Sequence, residues 1–180
     1  MVTAYLIVVA LVAAQRVAEL VISRRHASWA RERGAVEHGR GHYPAMVALH
    51  TAFLAACVAE VLALDRPFQP ELAAPMLLLL LGAQALRVWC IRALGPQWNT
   101  RVLVVPGMSR VERGPYAFLR HPNYLAVAAE GFALPLLHGA WLTAAVFSLA
   151  NAVLLAVRIR CEDRALANAP IRPLLAAEEA

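Results

Sequence analysis

The chain contains no lysine. All seventeen basic residues are arginines, and they fall between apolar runs instead of along one polar face. That distribution excludes the basic stripe of a nucleic-acid-binding surface, so no nucleic-acid partner is expected. Cysteine is scarce as well. Cys57, Cys90 and Cys161 are odd in number and far apart, which excludes a disulfide framework and a zinc-ligand pattern, so no metal site is expected. The start lacks a basic segment and a small-residue cleavage site, and the first apolar run is expected to be retained. There is no internal repeat, and no low-complexity stretch beyond general alanine richness.

What is present is apolar length. Hydrophobic residues make up 61% of the 180, with mean hydropathy +0.57, against roughly 45–50% apolar in soluble domains. Helices that cross ~30 Å of hydrocarbon in about 20 residues account for such a surplus. The reading is an all-α integral membrane protein with five transmembrane helices. The predicted spans are Val2 to Ile22, Tyr43 to Leu64, Leu72 to Leu94, Pro122 to His138 and Trp141 to Ile159. Pro44 suits a helix start, where its missing N–H costs nothing. Asp65 to Glu71 is a proline-punctuated turn, and Gly95-Pro96 ends the third span. Arg101 to Gly107 is expected to be a short extended or interfacial piece. Pro135 is expected to kink the fourth span. The turn His138-Gly139-Ala140 makes spans four and five a helical hairpin. The chain is one membrane domain: three spans in 1–95 on the lipid-substrate side, an interfacial segment and hairpin in 96–167, and a tail in 168–180. The polar stretch Arg160 to Ala180 is expected to be helical at first and frayed at its end.

Arginine placement gives an orientation. Five arginines follow span one, five more, from Arg92 to Arg120, lie at the end of span three and after it, and four, from Arg158 to Arg172, at the end of span five and after it, whereas the other two loops hold only Arg66. Basic loops stay cytoplasmic. The N-terminus is therefore expected outside and the C-terminus in the cytoplasm, in a bacterial inner membrane.

Polar residues inside the spans have two readings. Arg16, Glu19 and Ser23 share one helical face. They form either an ion pair that snorkels outward or a polar wall facing a site within the bundle. His50 is either a packing residue or a functional one. Glu60, near a span end, is expected to snorkel.

Two clusters meet on the cytoplasmic side. One is Tyr116, Arg120, His121, Asn123 and Tyr124. The other is Asn151, Arg158, Glu162 and Asp163, of which the first three share a helical face. Together they offer acceptors, cations and aromatics at a membrane–water boundary. Glu162 suits an ammonium or a ribose, and Arg158 or Arg120 a carboxylate. Taken alone, Arg158 with Glu162 equally reads as a helix-surface ion pair.

The stretch Gly114-Pro-Tyr-Ala-Phe-Leu-Arg-His-Pro-Asn-Tyr124, the hairpin after it, and Arg158-Ile-Arg-Cys-Glu162 resemble the isoprenylcysteine carboxyl methyltransferase family, over Pro96 to Ala167. The resemblance implies a methyltransferase using S-adenosyl-L-methionine, with the cofactor pocket facing the cytoplasm. It implies cofactor contacts for His121, Pro122, Tyr124 and Glu162, with Arg158 near the reacting groups; Tyr116, Arg120 and Asn151, from the two clusters, are further cofactor-binding candidates. The family's usual Glu-Glu pair is Glu162-Asp163 here. Glu37 to Met46, Trp98 to Arg101 and Glu130 to Pro135 are similar to small bacterial members that O-methylate alkylpyrones or alkylresorcinols. The expected partner is thus a lipophilic small molecule drawn from the membrane lipid: a long-chain polyketide, or an isoprenylcysteine-type carboxylate. Arg158, Glu130 and Arg101 are the catalytic candidates: Glu130 as a base, the arginines to hold the nucleophilic oxygen. His42, Tyr43 and Trp98 are substrate-binding candidates, with His42 a second possible base and Trp98 suited to the headgroup level. Two rivals stand beside this reading: an NADPH-dependent reductase like the membrane sterol reductases, which carry a related Arg-His-Pro-Asn-Tyr hairpin, and a non-enzymatic membrane adaptor.

Overall fold

The computed structural model describes residues 1–108 and 110–167. Its helices are α1 (Val2–Arg31), α2 (Tyr43–Ala63), α3 (Pro70–Leu94), α4 (Pro122–Leu136) and α5 (Trp141–Ala167). Prolines open α2, α3 and α4 within their first turn, where the absent N–H leaves no bond unmade. Gly95 closes α3 with a positive φ of 53°, a conformation that a side chain would resist. Among the described residues four helices, α1, α2, α3 and α5, are long and apolar enough to cross a membrane. Leu11, Leu78 and Leu149 are 64–73% exposed on them. Apolar residues turned outward from a helix bundle are what lipid contact demands.

Three expectations are corrected. First, α1 runs nine residues past Ile22, to Arg31. Polar Ser23 and His26 continue the helix because the loop 97–100 packs against them. Second, α4 has 15 residues, ending at Leu136 instead of His138, and rises about 22 Å, a shorter helix than expected. Third, Pro135 stands one residue before the end of α4, so it finishes the helix instead of bending it. The fraying expected at the tail concerns 168–180, which lie outside the described residues.

Short as it is, α4 links the two ends of the bundle. His138, just past it, is buried against Tyr5 near the start of α1, with ring centroids 5.3 Å apart, and against Phe68 of the α2–α3 turn, at 5.6 Å. Small residues let α4 sit deep: Ala126 and Ala133 are fully buried, and a side chain at Gly131 would collide with the Phe147 ring of α5. Close approach through small residues is the usual basis of helix packing in lipid. The hairpin turn is as expected, with Gly139 at φ 70°. Glu60 does not snorkel. It is buried and accepts from the Leu142 and Thr143 amides at the start of α5, at 3.2 and 2.6 Å, while Arg66 holds it from the other side. A carboxylate there satisfies free N–H groups and opposes the helix dipole.

At the opposite end, β1 (Val36–His38) pairs antiparallel with β2 (Val102–Val104), Glu37 facing Leu103. The extended piece expected within 101–107 is thus a ribbon strand. The pairing places the loops after α1 and α3 on one side of the bundle.

Candidate active site

The site is assembled where the 97–100 loop seats on α1. Ser23 Oγ lies 3.0 Å from Asn99 Oδ1 and 2.8 Å from Thr100 Oγ1, and it accepts from the Thr100 amide at 3.1 Å. The Trp98 carbonyl lies 2.8 Å from His26 Nδ1. The loop is thereby held so that the Thr100 carbonyl accepts from Arg158 Nη2 at 2.6 Å. Arg158 is 5% exposed. Its Nε donates to Tyr124 Oη at 2.9 Å, and Tyr124 Oη donates in turn to Glu162. His121 stacks on Tyr124, with centroids 5.5 Å apart and Nε2 3.2 Å from Asp163. Arg158 and Glu162 are therefore joined through Tyr124, and the surface ion-pair reading of them falls away.

Two cavities meet at this chain of groups. A cleft of about 150 Å³, partly open at the surface, is lined by Trp98, Arg101, Tyr116, Arg120, His121, Asn123, Tyr124, Arg158 and Glu162. A chamber of about 330 Å³, also partly open, has mostly apolar walls such as Val17, Leu20, Val47, Leu54, Val127, Leu154 and Leu155. Trp98, Asn99, Asn123, Tyr124 and Arg158 belong to both. Tyr116, in the turn 114–117, is held neutral: burial first, and then its neighbour Cys90, raise its pKa well above the usual phenol range. Trp98 Nε1 and Asn123 Oδ1 are buried with no hydrogen-bond partner among the described residues.

Several candidates stand elsewhere than expected. Asn151 lines the chamber and not the cleft. Pro122 is buried and starts α4, so it orients His121 without lining either cavity. Trp98 is 3% exposed: it is an inner wall, edge-on to His26, and not a headgroup anchor. Tyr43 lines the chamber under the Arg101 guanidinium, 4.1 Å from its ring. Arg101 pairs with Glu37 at 2.6 Å. Burial disfavours the charged Glu37, but its bond to Arg101, with Arg40 and Arg31 nearby, outweighs this and holds its pKa below the usual carboxylate range. His42 lies beside Gly39 and lines neither cavity.

Glu130 also lines neither cavity. Its carboxylate is taken by Arg16, by Arg87 at 3.5 Å and by Gln84 at 2.8 Å, which leaves it poorly placed to act as a base. Arg16 also meets Glu19, and Arg87 reaches Glu19 at 3.3 Å. The polar face of α1 thus looks inward, and Arg16, Glu19, Arg87 and His50 line the chamber. Thr100 and Met46, which also hold Arg158, lie in stretches that resemble small bacterial members, but neither was expected to be a site residue. Gln84 and Arg87 carried a signal: they lie three apart, on one face of an apolar helix.

Fold and site together define a multi-pass helical membrane protein with a polar site at one end of its bundle, and the profile of the isoprenylcysteine carboxyl methyltransferase (ICMT) family matches residues 76–168. A Bacillus subtilis (strain 168) protein, the uncharacterized protein YpbQ, is 41% identical over 165 residues, covering 89% of this chain and 95% of its own. An uncharacterized protein of Haemophilus influenzae (strain ATCC 51907 / DSM 11121 / KW20 / Rd) is 29% identical over 164 residues, 88% of this chain and 92% of its own. No solved structure matches the chain significantly. The chain belongs to the isoprenylcysteine carboxyl methyltransferase family, a family of membrane methyltransferases.

Proposed function

We propose that the protein moves a methyl group from S-adenosylmethionine to an oxygen of a lipophilic acceptor, at the cytoplasmic face of a bacterial inner membrane. The observation that carries this reading is the shared wall. A water-facing polar cleft and an apolar chamber meet at Tyr124 and Arg158, as transfer between a soluble donor and a lipid acceptor requires. In this arrangement α4 is a fifth, short crossing. The arginine-rich loops and the ribbon lie in the cytoplasm by the charge rule, with the N-terminus outside.

The cleft suits the cofactor. Glu162 accepts from an ammonium or ribose hydroxyl, and Arg120 can take a carboxylate in fork geometry. Trp98 and Tyr116 offer aromatic walls. S-adenosylmethionine supplies an electrophilic methyl group on a sulfonium. The chain supplies position. Tyr124, held between Arg158 and Glu162, fixes the boundary between the cavities, and Arg158 steadies an anionic acceptor oxygen there. The apolar walls exclude water, which strengthens that charge interaction. An acceptor already ionised near neutral pH, such as a carboxylate or acidic hydroxypyrone, needs no base. That agrees with a Glu130 already engaged by two arginines. The acceptor class is a long-chain polyketide of the alkylpyrone or alkylresorcinol kind, or an isoprenylcysteine-type carboxylate.

Titration of the detergent-purified protein with S-adenosylmethionine and with NADPH tests the reading. Saturable binding of the first is expected. Binding of NADPH with no response to S-adenosylmethionine would overturn it in favour of a reductase.

A further inference from the structure

On four helices a polar residue at the chamber mouth has a polar companion seven residues away. The pairs are Ser23 and Arg16 on α1, Tyr43 and His50 on α2, Asn123 and Glu130 on α4, and Arg158 and Asn151 on α5. Seven residues make two turns, a rise of about 10 Å. In each case the companion lies on the side away from the ribbon. The molecule thus carries a second polar tier inside the bundle, parallel to the first.

The inner tier is more than a brace. Its two guanidinium groups and two carboxylates, those of Arg16, Arg87, Glu19 and Glu130, balance one another. Yet polar atoms remain unused beside the chamber. Asn151 is 2% exposed; its Oδ1, like Arg87 Nε, is sealed off without a partner among the described residues, and its Nδ2, which makes no hydrogen bond among them, is the atom left to meet a ligand. His50 directs Nδ1 to the Met46 carbonyl at 2.9 Å; Nδ1 therefore carries the proton, and Nε2 of the neutral ring is an acceptor. Asn151 and His50 both line the chamber. A plain alkyl or prenyl tail would leave these groups unpaired in hydrocarbon, at a cost of kilocalories for each.

We propose that the acceptor carries a second oxygen function, a hydroxyl about 10 Å from the methyl-accepting oxygen, and that the inner tier reads it. A hydroxyl both donates and accepts, matching His50 Nε2 as acceptor and Asn151 Nδ2 as donor. A second carboxylate does not match, because Glu19 and Glu130 already balance the arginines. The acceptor is then an apolar chain with oxygen at two stations, the outer at Arg158 and the inner at Asn151. This rests on the reading of the chamber as the acceptor site.

The test compares 10-hydroxydecanoic acid with undecanoic acid, in which a methyl replaces the hydroxyl. Calorimetric affinities for the full-length protein in detergent are measured for the unaltered chain and for Asn151→Leu, with S-adenosylmethionine binding read in parallel. The unaltered protein is expected to prefer the hydroxy acid, against the ordinary trend for an apolar pocket, and Asn151→Leu to lower that preference about tenfold, the loss of one buried hydrogen bond. A preference for undecanoic acid in the unaltered protein overturns the proposal, whether or not the variant folds. So does an unchanged ratio in Asn151→Leu. S-adenosylmethionine binding without hydroxyl preference removes the inner station and leaves methyl transfer standing. Hydroxyl preference without S-adenosylmethionine binding does the reverse.

Discussion

Ser23, Tyr43, Asn123 and Arg158 at the mouth occupy the same helix faces as Arg16, His50, Glu130 and Asn151 two turns below. The residue types are similar, but the surroundings are not. At the mouth, Ser23 and Arg158 bond to the backbone or side chain of Thr100, on a loop that lies beside water. The inner tier is closed on itself, carboxylate to guanidinium, across α1, α3 and α4. Arg158 is as buried as Arg87, but its partners are a hydroxyl, a thioether and a carbonyl, which a ligand anion can replace, whereas the inner charges hold one another and are costly to separate. The mouth can therefore give up contacts to a ligand, while the inner tier fixes helix positions and offers only its unused atoms.

Breaking the inner tier should produce the largest effect. Arg87→Met strips Glu19 and Glu130 of a shared cation and should cost about 3–5 kcal/mol, seen as a lowered melting temperature in detergent. If the unfolding temperature is unmoved, the tier is not structural. The mouth should respond in activity instead. Arg158→Lys keeps the charge but cannot reach Tyr124 Oη, Met46 Sδ and the Thr100 carbonyl together. Methyl transfer should drop roughly 100-fold, the scale expected for misplaced reacting groups, with little change in melting temperature.

A smaller effect sharpens the division within the mouth itself. Glu162→Gln removes a charged acceptor worth about 1.5–3 kcal/mol, so S-adenosylmethionine should bind roughly tenfold or more weakly while lipid-acceptor affinity holds. Equal losses for both ligands would erase the distinction between cleft and chamber. Ser23→Ala unseats the 97–100 loop, which should lower stability by about 1 kcal/mol and weaken cofactor binding modestly.

The smallest effect lies at the ribbon. Glu37 has a lowered folded-state pKa, so its contribution is complete above its unfolded pKa and is lost as pH falls through the folded value. Acidification below the ordinary carboxylate range should therefore loosen the ribbon by about 0.5–1 kcal/mol, given its partly exposed partners. Hydrogen exchange at residues 36–38 and 102–104 should report it, and Glu37→Gln should abolish the pH dependence.

The helices were legible in the sequence because long apolar runs, opening prolines and Gly95 mark them locally. The outer site was largely legible too, since Arg120 to Tyr124 and Arg158 to Glu162 are compact motifs. The partners of Arg158 were not. Thr100 acts through a backbone carbonyl and Met46 through a thioether, neither of which has a signature in composition. The end of α1 was misjudged for a similar reason: polar Ser23 and His26 read as a loop until the segment that covers them is in view.

The sequence by itself determined a multi-pass helical membrane protein of this methyltransferase family, because hydrophobic length and short motifs are local properties of the chain. Only the tertiary structure decided which way the Arg16–Glu19 face turns, that Glu60 caps α5, that Glu130 is bound to arginines, and that Asn151 belongs to the chamber. Each of those depends on what another helix brings within hydrogen-bond distance, and no local pattern records that.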